Sequence, residues 1–96
     1  MDVYHHHLSV NLPENYCQED EVWIREMLLN LDASTRNKIT FKYSQVYSES
    51  WENEPIIYKK ENKARNSANT RLREFVRKYA EFSKGKVSNP EVFNPH

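Results

Sequence analysis

The sequence predicts an all-α protein: a small bundle of about three main helices in a single domain, with a loose C-terminal tail. Three observations point there. Glycine occurs once in 96 residues and proline four times, too few turn formers for a strand-rich fold. The breakers that do occur fall between stretches of helical periodicity. Hydrophobic residues are 38% of the chain and aromatics 12%, enough to bury a modest core.

The first helix is expected to begin near residues 18–20. Glu19, Asp20 and Glu21 suit the positive end of a helix dipole. Trp23, Ile24, Met27, Leu28 and Leu31 then recur on one face. Asp32 reads as a break and as the N-cap of the second helix. That helix carries Ile39, Tyr43, Val46, Tyr47 and Trp51 on one side, with Phe41 off that side. The β-branched and aromatic run ITFKYSQVY also fits a strand. Pro55 stops this element, because the residue before a proline resists the α region.

The third helix is expected over residues 58–84. Its apolar stripe is Ala64, Ala68, Leu72, Phe75, Val76, Tyr79 and Phe82, and the two alanines invite close approach of another helix. Gly85 stands at the C′ position that ends a helix, with Lys84 and Lys86 near the negative pole. Residues 1–14 form an N-terminal arm, in which Tyr4 to Leu12 is either a short helix or extended chain. Residues 87–96 form the tail.

Charge is sorted along the chain although the net charge is zero. Residues 1–58 carry four basic and ten acidic side chains, and residues 59–86 carry ten basic and three acidic. Either half can meet a partner of opposite sign, a second copy of the chain included, or the halves can neutralise each other. On the third helix, Asn66, Thr70, Arg73, Arg77 and Lys84 lie opposite the apolar stripe. Arg65 and Asn69 flank it on one edge, Arg71 and Lys78 on the other. Glu74/Lys78 and Arg77/Glu81 are spaced as i,i+4 ion pairs. A basic ridge with asparagines is either a solvated face, a protein-binding surface or a reader of phosphates and base edges. A neutral domain argues against the last.

Chemistry has few footholds. The single glycine excludes glycine-rich nucleotide loops. His5–His7 are consecutive and lack metal-ligand spacing, so no metal site is expected. Cys17, the one cysteine, cannot form an internal disulfide, and the sequence supplies neither a third catalytic group nor an oxyanion hole beside it. The Gln18–Glu21 acids read as a dipole feature rather than a magnesium site. We expect no catalytic residues, no cofactor and no enzyme. No run is long and apolar enough for a membrane span, and the first residues lack a secretory pattern, which with the lone cysteine fits the cytoplasm.

The segments NLPENYCQEDEVWIREMLLNLD and KARNSANTRLREFVRKYA resemble parts of small accessory proteins of lambdoid phages and prophages, a resemblance of general texture covering roughly residues 11–80. It implies a protein working in a bacterial host, which binds and modulates or inhibits a host nuclease, recombination or replication factor. No functional residue is carried over by it. On the residues alone, the candidate partner-binding set is Arg65, Asn66, Arg73, Arg77 and Lys84, with Trp51 and Tyr58 as aromatic anchors. The partner is a host protein; the alternative is direct binding of DNA or RNA through the third helix.

Overall fold

The computed structural model describes residues 10–83. The order is a 3-10 turn (Gln18–Asp20), α1 (Glu21–Leu28), α2 (Ala33–Asn53), a second 3-10 turn (Ile57–Lys59) and α3 (Lys60–Ser83). No strand occurs among the described residues. The run ITFKYSQVY lies wholly inside α2, so its periodicity of four prevails over its β propensity. Ile39, Tyr43 and Tyr47 are buried at i, i+4 and i+8, while Phe41 faces solvent.

The core is built by α2 and α3 as an antiparallel pair, with α1 packed on both. Ile24 and Leu28 of α1, Tyr43 of α2 and Ala64, Ala68 and Leu72 of α3 are fully buried together. Antiparallel register follows from three cross-links. Asp32 pairs with Tyr79 at 3.0 Å, Tyr43 with Asn69 at 2.5 Å, and Ser50 with Ser67 at 3.0 Å. Small residues allow the last approach: Ser50 Oγ also donates to the Lys63 carbonyl at 3.2 Å, beside the buried Ala64 and Ala68.

Both helix ends inside the chain are closed by basic side chains from the next element. Arg36, in the first turn of α2, donates from Nε to the Leu28 carbonyl at 3.1 Å and from Nη2 to the Leu31 carbonyl at 2.8 Å. Lys60 Nζ donates to the Trp51 carbonyl at 2.9 Å and to the Glu54 carbonyl. Carbonyls at a helix end have no intrahelical partner, and a cation there also meets the negative pole. Asp32 holds the N-cap position of α2 with extended backbone, φ −70° and ψ 163°, and its carboxylate accepts from Tyr79. Helix α2 ends at Asn53, two residues before Pro55, and Glu54 is already extended.

The described part of the arm is extended and docked. Val10, Pro13 and Cys17 are buried. The arm runs parallel to α2 along a ladder of hydroxyls at i, i+4 and i+8. Thr40 Oγ1, which donates to the Arg36 carbonyl at 2.8 Å, lies 3.4 Å from the Asn11 carbonyl. Ser44 Oγ accepts from the amides of Glu14 at 2.8 Å and Asn15 at 3.3 Å, and Ser48 Oγ accepts from Asn15 Nδ2 at 2.9 Å. Of Tyr4 to Leu12 only Val10–Leu12 are among the described residues, and these are not helical. His5–His7, Lys84, Gly85 and the tail lie outside the described residues.

Candidate functional site: the cationic helix and the interhelical corner

The basic residues of α3 fall into two groups that share a helix and little else. Arg65 and Asn69, one turn apart, face the start of α1. Arg65 grips Asp20 with both arms of its fork, Nε to Oδ2 and Nη2 to Oδ1, each 2.9 Å, and Nη1 reaches Glu19 at 3.3 Å. Asn69 Nδ2 adds a third donor to Asp20 at 3.0 Å, and Asn69 Oδ1 accepts from the Tyr43 hydroxyl. A two-pronged Arg–carboxylate pair fixes direction as well as distance. The Arg65 hydrogen bonds hold the Asp20 carboxyl below its ordinary range, against partial burial, with Asn69 contributing in the same sense. Asp20 in turn raises the Arg65 pKa further.

Arg65 is therefore a structural strap, and the expectation that it belongs to an outward ridge is corrected by this geometry. Its place on the edge of the apolar stripe carries it to α1. The acids at residues 19 and 20, read as a dipole feature, are also its counter-ions. The pairing of the acidic and basic halves is made here within one copy of the chain.

Along the opposite side, Asn66, Arg73 and Arg77 are exposed. The Arg73 guanidinium sits 5.5 Å from the Trp23 ring centroid, a cation–π contact that leans it toward α1. Arg77 and Lys78 have no ion-pair or hydrogen-bond partner among the described residues. The expected i,i+4 pairs, Glu74/Lys78 and Arg77/Glu81, do not close to 4 Å. The spacing permits these contacts, but exposed ion pairs gain little in water and leave long side chains ordered, so nothing compels them.

At the end where α2 hands over to α3, apolar residues are turned outward. Trp51 is 39% exposed, Ile57 81% and Tyr58 80%, with Ile56 and Pro55 exposed between them. Trp51 and Tyr58, the aromatic pair that the sequence offers as anchors, are both exposed. Ile56 and Ile57 were not singled out, though three large apolar residues in a row after a helix-ending proline was the available signal. The connector is too short, from Glu54 to Lys59, to fold these side chains back onto the core.

Cys17 is buried, and its Sγ donates to Glu61 Oε2 at 3.3 Å. Burial, with the adjacent Glu61 carboxylate, pushes the thiol pKa up, which keeps it protonated and poorly nucleophilic. Among the described residues no helix is long and apolar enough to cross a membrane. No protein family matches the chain, and neither curated proteins nor solved structures give a match.

Proposed function

We propose that this chain is a small protein-binding modulator without enzymatic activity. Its anchor is the corner formed by Trp51, Ile56, Ile57 and Tyr58, and its charged rim is the ridge Asn66–Arg73–Arg77. The observation that carries this reading is the corner itself: Ile57 and Tyr58 are about four-fifths exposed on a short connector. Exposed apolar residues grouped on a surface mark interaction sites, and tryptophan, tyrosine and arginine dominate binding energy where interfaces form. The ridge lies on α3, the helix that follows the corner in the chain. From Asn66 to Arg77 it extends about 16 Å at the rise of an α-helix. The partner that fits has an apolar pocket bordered by carboxylates. The resemblance to lambdoid accessory proteins favours a host protein of nucleic-acid processing, bound and inhibited or redirected in the bacterial cytoplasm.

Arg77 and Lys78, without an ion-pair partner among the described residues, support a second reading, direct contact with DNA or RNA phosphates. Affinity capture from nuclease-treated bacterial lysate separates the two when the Ile57→Asp variant is run beside the wild type. A stoichiometric protein retained by the wild type and lost by Ile57→Asp supports the modulator. Binding to naked nucleic acid that falls steeply with salt and is unchanged by Ile57→Asp supports the second reading.

A further inference from the structure

A groove of about 460 Å³ lies on the other side of Trp51, between the docked arm, the C-terminal half of α2 and the first turn of α3. Tyr16, Tyr47 and Trp51 supply aromatic surface, and Glu14, Glu52 and Glu61 supply carboxylates. Its volume is within the range of small-molecule sites. Tyr47 and Trp51 are one turn apart on α2 and stack with centroids 6.2 Å apart and planes at 23°.

Two features of the groove lack counterparts among the described residues. None of the three carboxylates forms an ion pair with a described residue; Glu61 accepts only the weak Cys17 thiol. Tyr47 is only 7% exposed, yet its hydroxyl has no hydrogen-bond partner among the described residues. A buried tyrosine hydroxyl ordinarily finds one. The Tyr47 oxygen can accept, the solvent-exposed carboxylates have no ion-pair partner among the described residues, and the rings are stacked, so the lining suits a positive group carrying N–H donors. A bare divalent metal is a poorer fit, because hard cations need a close shell of oxygens and gain little from aromatic walls. An organic cation uses both walls and acids at once, its charge over the rings and its N–H groups on the carboxylates.

We propose that this groove binds one organic cation, an alkylammonium or guanidinium group, presented either as a lysine or arginine side chain of a partner or as a free amine. The site does not depend on the corner reading: Ile56, Ile57 and Tyr58 do not line it, and Trp51 alone borders both surfaces.

The test is a titration of the full chain by two-dimensional NMR, following the two indole N–H signals. The probes are agmatine, methylguanidine, acetyl-arginine-amide and its neutral isostere acetyl-citrulline-amide, at matched ionic strength. Trp51 should shift saturably with the cations, in the millimolar range or tighter (Kd about 1 mM), while Trp23, which does not line the groove, stays in place. The citrulline compound should be silent. Joint substitution Glu52→Gln and Glu61→Gln should weaken binding about tenfold or more, the loss expected for charge-assisted contacts. Tyr47→Phe should weaken it about threefold if its hydroxyl is one contact among several, with the remaining spectrum confirming an intact fold. Agmatine carries one charge more than acetyl-arginine-amide, so the source is read against methylguanidine, of equal charge: tighter binding of acetyl-arginine-amide than of methylguanidine identifies a protein side chain, and the reverse order a free small cation. Equal response to arginine and citrulline compounds, absence of a saturable Trp51 shift, or undiminished binding in the double glutamine variant would each overturn the proposal.

Discussion

Arg65 and Arg77 lie three turns apart on one helix and have opposite fates. Arg65 holds three donors on the acids that open α1, in a junction that also takes in Asn69 and Tyr43. Arg77 stands exposed with no partner among the described residues. The rotation about α3 decides the difference. Residue 65 falls on the edge of the apolar stripe, where a neighbouring helix is within reach, and residue 77 falls outside it. A run of cations along one helix is thus two devices: one closes the fold and the other is left for solvent or a partner. Counting basic residues merges them; the angular position separates them.

The comparison breaks most visibly at Asp20. Its carboxylate takes three hydrogen bonds in a partly buried site, so Asp20→Ala strands Asn69 Nδ2 and leaves Arg65 only its contact with the exposed Glu19. We expect a loss of roughly 2–3 kcal/mol, since removing one partner leaves charged and polar groups unmatched. Urea unfolding of both proteins measures it. The same contact sets an acid limb. Because the folded state lowers the Asp20 pKa, its contribution is complete above the ordinary carboxylate pKa near about 4 and fades as pH falls through the lower folded value. Between about pH 5 and pH 2 the wild type should lose more stability than Asp20→Asn, whose side chain does not titrate. Parallel limbs in the two proteins would show that Arg65 does not favour the ionised form.

A smaller effect is expected one link inward. Tyr43→Phe removes the hydroxyl that donates to Asn69 Oδ1 and leaves that acceptor without its partner in a partly buried site, a cost of about 1 kcal/mol. Burial pushes the Tyr43 pKa well up, with Asp20 nearby acting in the same direction. Alkaline titration should therefore leave Tyr43 un-ionised until the protein unfolds. Ionisation of Tyr43 before unfolding would contradict the buried placement.

Much of the fold was legible because it depends on local periodicity. The stripe of α3 and the ends of α2 at Asp32 and Pro55 follow from side-chain spacing and backbone sterics, and both appear in the structure. What could not be read is what depends on distant partners. Nothing local says that Arg65 meets an acid 45 residues earlier, or that Ser44 receives two amides from a chain segment 29 and 30 residues away. The same holds for Arg36 and Lys60. As basic residues near helix ends they resemble ordinary surface cations until the preceding helix is seen to end against them. At the corner, Trp51 sits on the apolar side of α2 by periodicity, and only the tertiary placement shows its outer edge in solvent.

The finest division lies within the ridge itself, between Arg73 and Arg77. Arg73 rests on Trp23, a contact worth about 0.5–1 kcal/mol at an exposed site, so Arg73→Ala should cost a measurable fraction of that. Arg77→Ala has no contact to lose and should stay within about 0.5 kcal/mol of the wild type, as exposed substitutions away from special features do. Binding should follow a different order. If the ridge is the charged rim of the interface, Arg77→Glu weakens partner capture while leaving the unfolding midpoint in place, and Arg73→Glu changes both. Unfolding and capture measured on the same pair of variants therefore separate the part of the ridge that braces α1 from the part that faces outward. If Arg77→Glu left capture intact, the outward cations would be a solvated face, and the corner residues alone would carry the interface.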